Sequence, residues 1–192
     1  MASSQRFTSP HSALLVIDVQ AKLMDRIDDR ESILRNVVTA IQAARLLDIP
    51  ALATEQYPSG LGSSVPEVAA LIEHRPAKTT FHCCSSGEIL EQLHARGIRK
   101  VTLVGIEAHV CVAQTALELL TLGFRVQVLA DAVSSRHPSD RDIALRRLEF
   151  AGAVVSTTEA ALFEWTESAD HPVFKSISAL VKEADLARSR PH

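Results

Sequence analysis

Residues Lys100–Phe124 read KVTLVGIEAHVCVAQTALELLTLGF. An apolar run, Lys100–Ile106, gives way within a few residues to a segment with helical spacing that stops near Gly123. A second apolar run, FRVQVLAD (Phe124–Asp131), follows at once. A strand apolar on both faces needs cover on both, the condition of a parallel sheet layered between helices. Strand, helix and strand in succession form the unit from which such sheets are built. At the joint stands Cys111, one of three cysteines. A structural cysteine is a small, inert, buried hydrophobe. A reactive one wants partial exposure and positive surroundings.

The same alternation extends in both directions. ALLVIDV (Ala13–Val19) reads as a first buried strand, followed by a helix with Ile33, Val37, Ile41, Ala44 and Leu47 on one stripe. IPALATE (Ile49–Glu55) is a second strand, and the turn-rich QYPSGLGSSVPE leads to a short helix. RPAKTTF (Arg75–Phe81) is a weak third strand, and EILEQLHARG a helix stopped by Gly97. Beyond Asp131 come the helix SDRDIALRRLEFAG, a sixth strand AVVST (Ala153–Thr157) and the closing helical segment HPVFKSISALVKEADLA. With no repeat or linker, the pattern predicts one domain over residues 1–192, with 1–11 as a flexible tail. Its fold class is α/β, a three-layer α/β/α sandwich on a mainly parallel, Rossmann-like sheet of about six strands.

Composition bounds the chemistry. The chain has 192 residues, 46% apolar and 22% charged, with a net charge of −3, which suits a soluble globular protein. Nothing in that balance favours nucleic acid or an acidic membrane surface. No apolar run approaches the roughly 20 residues of a membrane span. The opening MASSQRFTSPHS lacks a secretory core, and its serine-rich, acid-free character is only a weak organelle signal. Three cysteines without CxxC spacing argue against a disulfide framework and for a reducing, cytoplasmic setting. The eight histidines show no HxH or HxxxH spacing, so neither metal nor cofactor is expected.

In open parallel sheets ligands bind beyond the carboxyl ends of the strands. Asp18 stands there after the first strand, Lys78 near the end of the third and Cys111 just past the fourth. Taken singly, Asp18 reads equally as a cap of the next helix, Lys78 as an edge charge and Cys111 as a buried thiol. Taken together at one rim, they supply a nucleophile, an acid–base group and an electrostatic partner. A helix N-terminus and a nearby ammonium would both lower the thiol pKa.

LLVIDVQ, ATEQYPSGLG, AKTTF, GIEAHVCVAQTALELLTLGFRVQVLADAVSS and HPVFKSISAL, in that order, resemble the isochorismatase-like cysteine hydrolase superfamily over nearly the whole chain. TEQYPSGLG, GIEAHVCV and HPVFKSIS are closest to its isochorismatase domain-containing protein subgroup. The resemblance implies a catalytic triad of Asp18, Lys78 and Cys111, with Cys111 as nucleophile. It also implies a cis peptide between Ile106 and Glu107, with the backbone N–H groups of Glu107 and Cys111 forming an oxyanion hole. Nicotinamidases of the superfamily carry a metal-binding Asp-x-His after the second strand. Here that place holds Glu55, Gln56 and Tyr57. True isochorismatases lack the nucleophilic cysteine, so Cys111 favours amide chemistry.

Glu107 and His109 read equally as pocket residues or as helix caps facing solvent, and Tyr57, Phe81 and His82 as pocket wall or surface. The expectation is a metal-independent hydrolase that cleaves a C–N bond of a small molecule through a Cys111 thioester. The alternative is a homo-oligomeric binding or scaffold protein that keeps the fold with little or no turnover. A homo-oligomer is expected, with Val173, Ile177, Leu180 and Val181 as an apolar stripe that either makes the contact between copies or packs on its own sheet.

Overall fold

Strands apolar on both faces take the middle of the molecule. The computed structural model describes residues 6–85 and 87–188. Its strands are β1 (Ser12–Ile17), β2 (Ala51–Gln56), β3 (Ala77–Lys78), β4 (Lys100–Ile106), β5 (Arg125–Ser134) and β6 (Val154–Ser156). They form one parallel sheet in the order β3-β2-β1-β4-β5-β6. The helices are α1 (Ala21–Met24), α2 (Arg30–Leu46), α3 (Pro58–Leu61), α4 (Pro66–Ala69) and α5 (Gly87–Ala95), then α6 (Ala113–Thr121), α7 (Pro138–Phe150), α8 (Thr158–Thr166) and α9 (Phe174–Arg188). This is the α/β sandwich that the alternation predicts.

Side chains alternate across the pleat, so each strand feeds two cores. On β1, Leu15 and Ile17 join Leu93, Leu103, Leu119 and Val126 on one face. Leu14 and Val16 join Ile33, Val37, Ile41 and Trp165 on the other. Full burial of such side chains contributes about 1.5–3 kcal/mol each. Because β1 is central, the positions just past its end lie between those of β2 and β4. Ile17 pairs with Thr54 on one side and Gly105 on the other, and Gln56 pairs with Lys78.

Three expectations change. The third strand was expected over Arg75–Phe81 but is confined to Ala77–Lys78. Past Lys78 the carbonyls turn toward side chains: Thr79 accepts from Gln56 Nε2 at 2.8 Å and Phe81 from Lys78 Nζ at 3.3 Å. The tail does not reach residue 11, because Phe7 is fully buried. Its N–H donates to Glu164 Oε2 at 2.9 Å, and Lys100 Nζ donates to the Thr8 carbonyl at 2.6 Å. Residues 1–5 of that expected tail lie outside the described residues. The C-terminal stripe is only partly available: Ile177 is buried, and Val173, Leu180 and Val181 are partly buried against the core that holds α2.

Candidate active site

β1 ends in a left-handed residue, Asp18, with φ 50°. Aspartate tolerates that conformation better than most residues. The turn directs the carboxylate into the rim, where it is fully buried. Asp18 Oδ2 accepts from Lys78 Nζ at 2.6 Å, and Oδ1 accepts from Thr54 Oγ1 at 2.8 Å. Lys78, itself 4% exposed, also donates to Gln56 Oε1 at 2.5 Å. Burying either charge alone would be expensive, and the pair with its extra hydrogen bonds offsets much of that penalty.

β4 leads through a cis Ile106–Glu107 peptide, at the bond named above, into a π-helical turn, Ala108–Val112. Cys111 lies on this turn and is 6% exposed. Its Sγ is 4.0 Å from Gln56 Oε1, and Asp18 acts on the thiol both as a charge and as a hydrogen-bond acceptor. The structure therefore brings Asp18, Lys78 and Cys111 together.

It corrects the expectation of a low thiol pKa. Burial pushes the Cys111 thiol well up, and the Asp18 charge adds to that against the opposing charge of Lys78. The ammonium is already engaged by Asp18 and Gln56. The resting sulfur keeps its proton.

The remaining candidates are divided. Tyr57, left-handed at φ 38° and 55% exposed, lines a cleft of about 570 Å³ with Pro58, Lys78, Thr80 and Ser85. Phe81 and His82 continue the loop after Thr80. The Phe81 ring is half exposed, and His82 Nδ1 is buried without a partner among the described residues. The Glu107 carboxylate is held by Arg136, whose N–H and Nε donate at 3.1 and 2.9 Å. His109 Nδ1 is 2.9 Å from Ser135 Oγ, and its Nε2 is 3.9 Å from Asp140 Oδ2 at the start of α7. Both side chains are thus engaged by the β5–α7 connection.

Thr54, Gln56 and Gln20 were not anticipated. Gln20 is fully buried; its Oε1 accepts from the Gln56 N–H at 2.7 Å, and its Nε2 donates to the Gln56 and Gly62 carbonyls. It fastens the loops after β1 and β2. A usable signal was present in TEQ, since Thr54 and Gln56 alternate onto one face at the end of a buried strand. Glu55 faces the other way and accepts from the Ser64 N–H, Ser64 Oγ and Arg75 Nε at 2.8, 2.9 and 3.0 Å. It is therefore part of a closed polar cluster rather than an open ligand.

Residues 12–160 match the model of the isochorismatase domain. Isochorismatase domain-containing protein 2 of Danio rerio is 40% identical over 182 residues, covering 94% of this chain and 92% of that protein. The structure of MAR1 ribonuclease from Caenorhabditis elegans is similar with a TM-score of 0.86 and 41% identity, over 92% of each chain. YcaC from Pseudomonas aeruginosa, described with hexane-2,5-diol and covalent acrylamide, is similar with a TM-score of 0.87 and 25% identity, over 98% of each chain.

Proposed function

The chain belongs to the isochorismatase family, and on that premise we propose that it is a metal-independent cysteine hydrolase acting on an amide-type C–N bond of a small molecule. The observation that carries this reading is a buried carboxylate, Asp18, serving both a fixed ammonium and the Cys111 thiol. Because the thiol is protonated at rest, the nucleophile is made during the reaction. Asp18 takes the thiol proton as sulfur attacks the carbonyl carbon, and the N–H groups of Glu107 and Cys111 receive the oxyanion. The C–N bond breaks as Asp18 returns the proton to the departing nitrogen, leaving a thioester on Cys111. Water then attacks the thioester, gives its proton through Asp18 to the sulfur, and releases the acid. Lys78 holds Asp18 in place and balances its charge throughout.

The acrylamide bound covalently in the YcaC structure supports this reading. The described residues contain no helix long and apolar enough to cross a membrane. The reading takes the protein to be cytoplasmic and to assemble from identical copies. The relative described as a ribonuclease favours a second reading, cleavage of RNA. That chemistry needs no thiol, and the net charge of −3 gives phosphates little attraction.

The experiment is a panel of small carboxamides together with single-stranded RNA, assayed with the wild type, Cys111→Ala and Asp18→Asn. Amide hydrolysis should vanish in Cys111→Ala and fall about 10²–10⁴-fold in Asp18→Asn, the usual span of acid–base catalysis. RNA should stay intact. RNA cleavage that survives Cys111→Ala would replace the amide reading, and full amide turnover by that variant would end the thioester route. A wild type that binds amides without turnover would leave the scaffold reading in its place.

A further inference from the structure

Behind the candidate triad lies a second thiol that the mechanism does not use. Cys83 opens the 3₁₀ turn Cys83–Ser85, and its N–H donates to Thr115 Oγ1 at 3.0 Å. The side chain is fully buried, so it meets neither solvent nor substrate. Its Sγ lies 3.4 Å from Thr54 Oγ1, the hydroxyl that donates to Asp18 Oδ1 at 2.8 Å. A hydroxyl has a single proton. An ionised carboxylate only accepts, so the Thr54 proton goes to Asp18 and leaves an oxygen lone pair facing Cys83. In that contact only the thiol has a proton to give, although Thr115 is a second side-chain hydrogen-bond partner of Cys83. The arrangement that serves all three groups runs from Cys83 S–H to Thr54 O–H to Asp18 Oδ1.

We propose that Cys83 is a positioning residue for the reaction proposed above: acting through Thr54, its S–H holds Asp18 Oδ1 as an acceptor and restrains the basicity of that carboxylate. The inference rests on Asp18 being the acid–base group. Burial, reinforced by the Asp18 charge against that of Lys78, pushes the Cys83 thiol to about 11, so it remains a donor through the neutral range. Hydrogen bonds donated to a carboxylate favour its charged form, and successive bonds polarise one another. Asp18 must take a proton from Cys111 and then release it to a departing nitrogen. A donor chain behind Oδ1 eases the release. If Cys83 loses its S–H, Thr54 becomes a poorer donor and Asp18 holds its proton more tightly.

The test reads alkylation of Cys111 by iodoacetamide against pH in the full chain, followed by peptide mass, and it needs no substrate. In the wild type the rate should fall on the acid side as Asp18 is protonated, and Asp18→Asn should remove that limb. Cys83→Ala should move the limb upward by roughly half a pH unit. Cys83→Ser, which restores a stronger donor, should keep it at or below the wild-type position. Thr54→Val should move it upward, and adding Cys83→Ala to that variant should move it no further. Loss of packing alone would lower the melting temperature of Cys83→Ala and leave the limb in place, which would overturn the proposal. An unmoved limb, a Cys83→Ser profile that copies Cys83→Ala, additive shifts with Thr54→Val, or a wild type without an acid limb would each do the same. Amide turnover that survives Cys111→Ala, beside limbs that move as expected, would remove the thioester reading and leave the relay standing.

Discussion

Glu55 and Gln56 are neighbours in sequence and occupy different worlds. The strand period sends Gln56 to Lys78 and Glu55 to Ser64 and Arg75. Burial pushes the Glu55 carboxyl up, but the Ser64 amide and hydroxyl and the Arg75 guanidinium outweigh it, so the folded pKa lies below the ordinary value near 4.5. A depressed carboxylate stabilises the fold above its unfolded pKa, and that contribution disappears as pH falls through the lower folded value. Replacing Glu55 by Gln should therefore cost about 2 kcal/mol near neutrality, the scale of charge-assisted hydrogen bonds. The melting temperature should drop by roughly 4–8 °C at neutral pH, and the gap to the wild type should narrow below pH of about 4. A gap unchanged by acid would show that Glu55 acts by shape and not by charge. At this scale the sequence marks Asp18, Lys78 and Cys111, because a charge or thiol after an apolar run is conspicuous. Thr54 and Gln56 are ordinary polar residues, and only the neighbouring strands reveal what they face.

β1 and β4 were legible as strands because uniform apolarity is a local property. How closely two of them approach is not. Gly105 sits within β4 at φ 114°, beside Ile17 of β1. A Cβ there would lie 2.1 Å from the Ile17 carbonyl oxygen, and a strand backbone cannot withdraw as a flexible side chain can. Gly123, which ends α6, also has positive φ, at 84°, but a Cβ there would meet nothing within 4 Å. The two glycines therefore separate conformational strain from collision. Gly123→Ala should cost about 1–2 kcal/mol for the left-handed conformation alone. Gly105→Ala should exceed about 4 kcal/mol or fail to fold, since it adds collision with a central strand. Urea unfolding of both variants checks this, and equal losses would mean that β4 shifts to make room. The short β3 and the buried Phe7 were hidden for a related reason. Each is decided by distant partners, Gln56 in one case and Glu164 and Arg125 in the other.

The self-association proposed above is sought away from the C-terminal stripe, because Ile177 is buried and Val173, Leu180 and Val181 are partly buried against the core. On α7, Ile143 is 57% exposed and Phe150 is 97% exposed. Seven residues make nearly two helical turns, so both side chains lie on one outward face. Each leaves in water an apolar surface whose burial contributes about 1.5–3 kcal/mol. A second copy of the chain meeting this face through a two-fold axis would bury each of them twice. The wild type should therefore scatter light as a multiple of 20.9 kDa at micromolar concentration. Phe150→Glu combined with Ile143→Lys should shift it to a smaller species. The variant chain should still fold, since neither side chain belongs to a buried cluster. A monomeric wild type would overturn the oligomer itself. An assembly that survives the double substitution would move the interface away from α7.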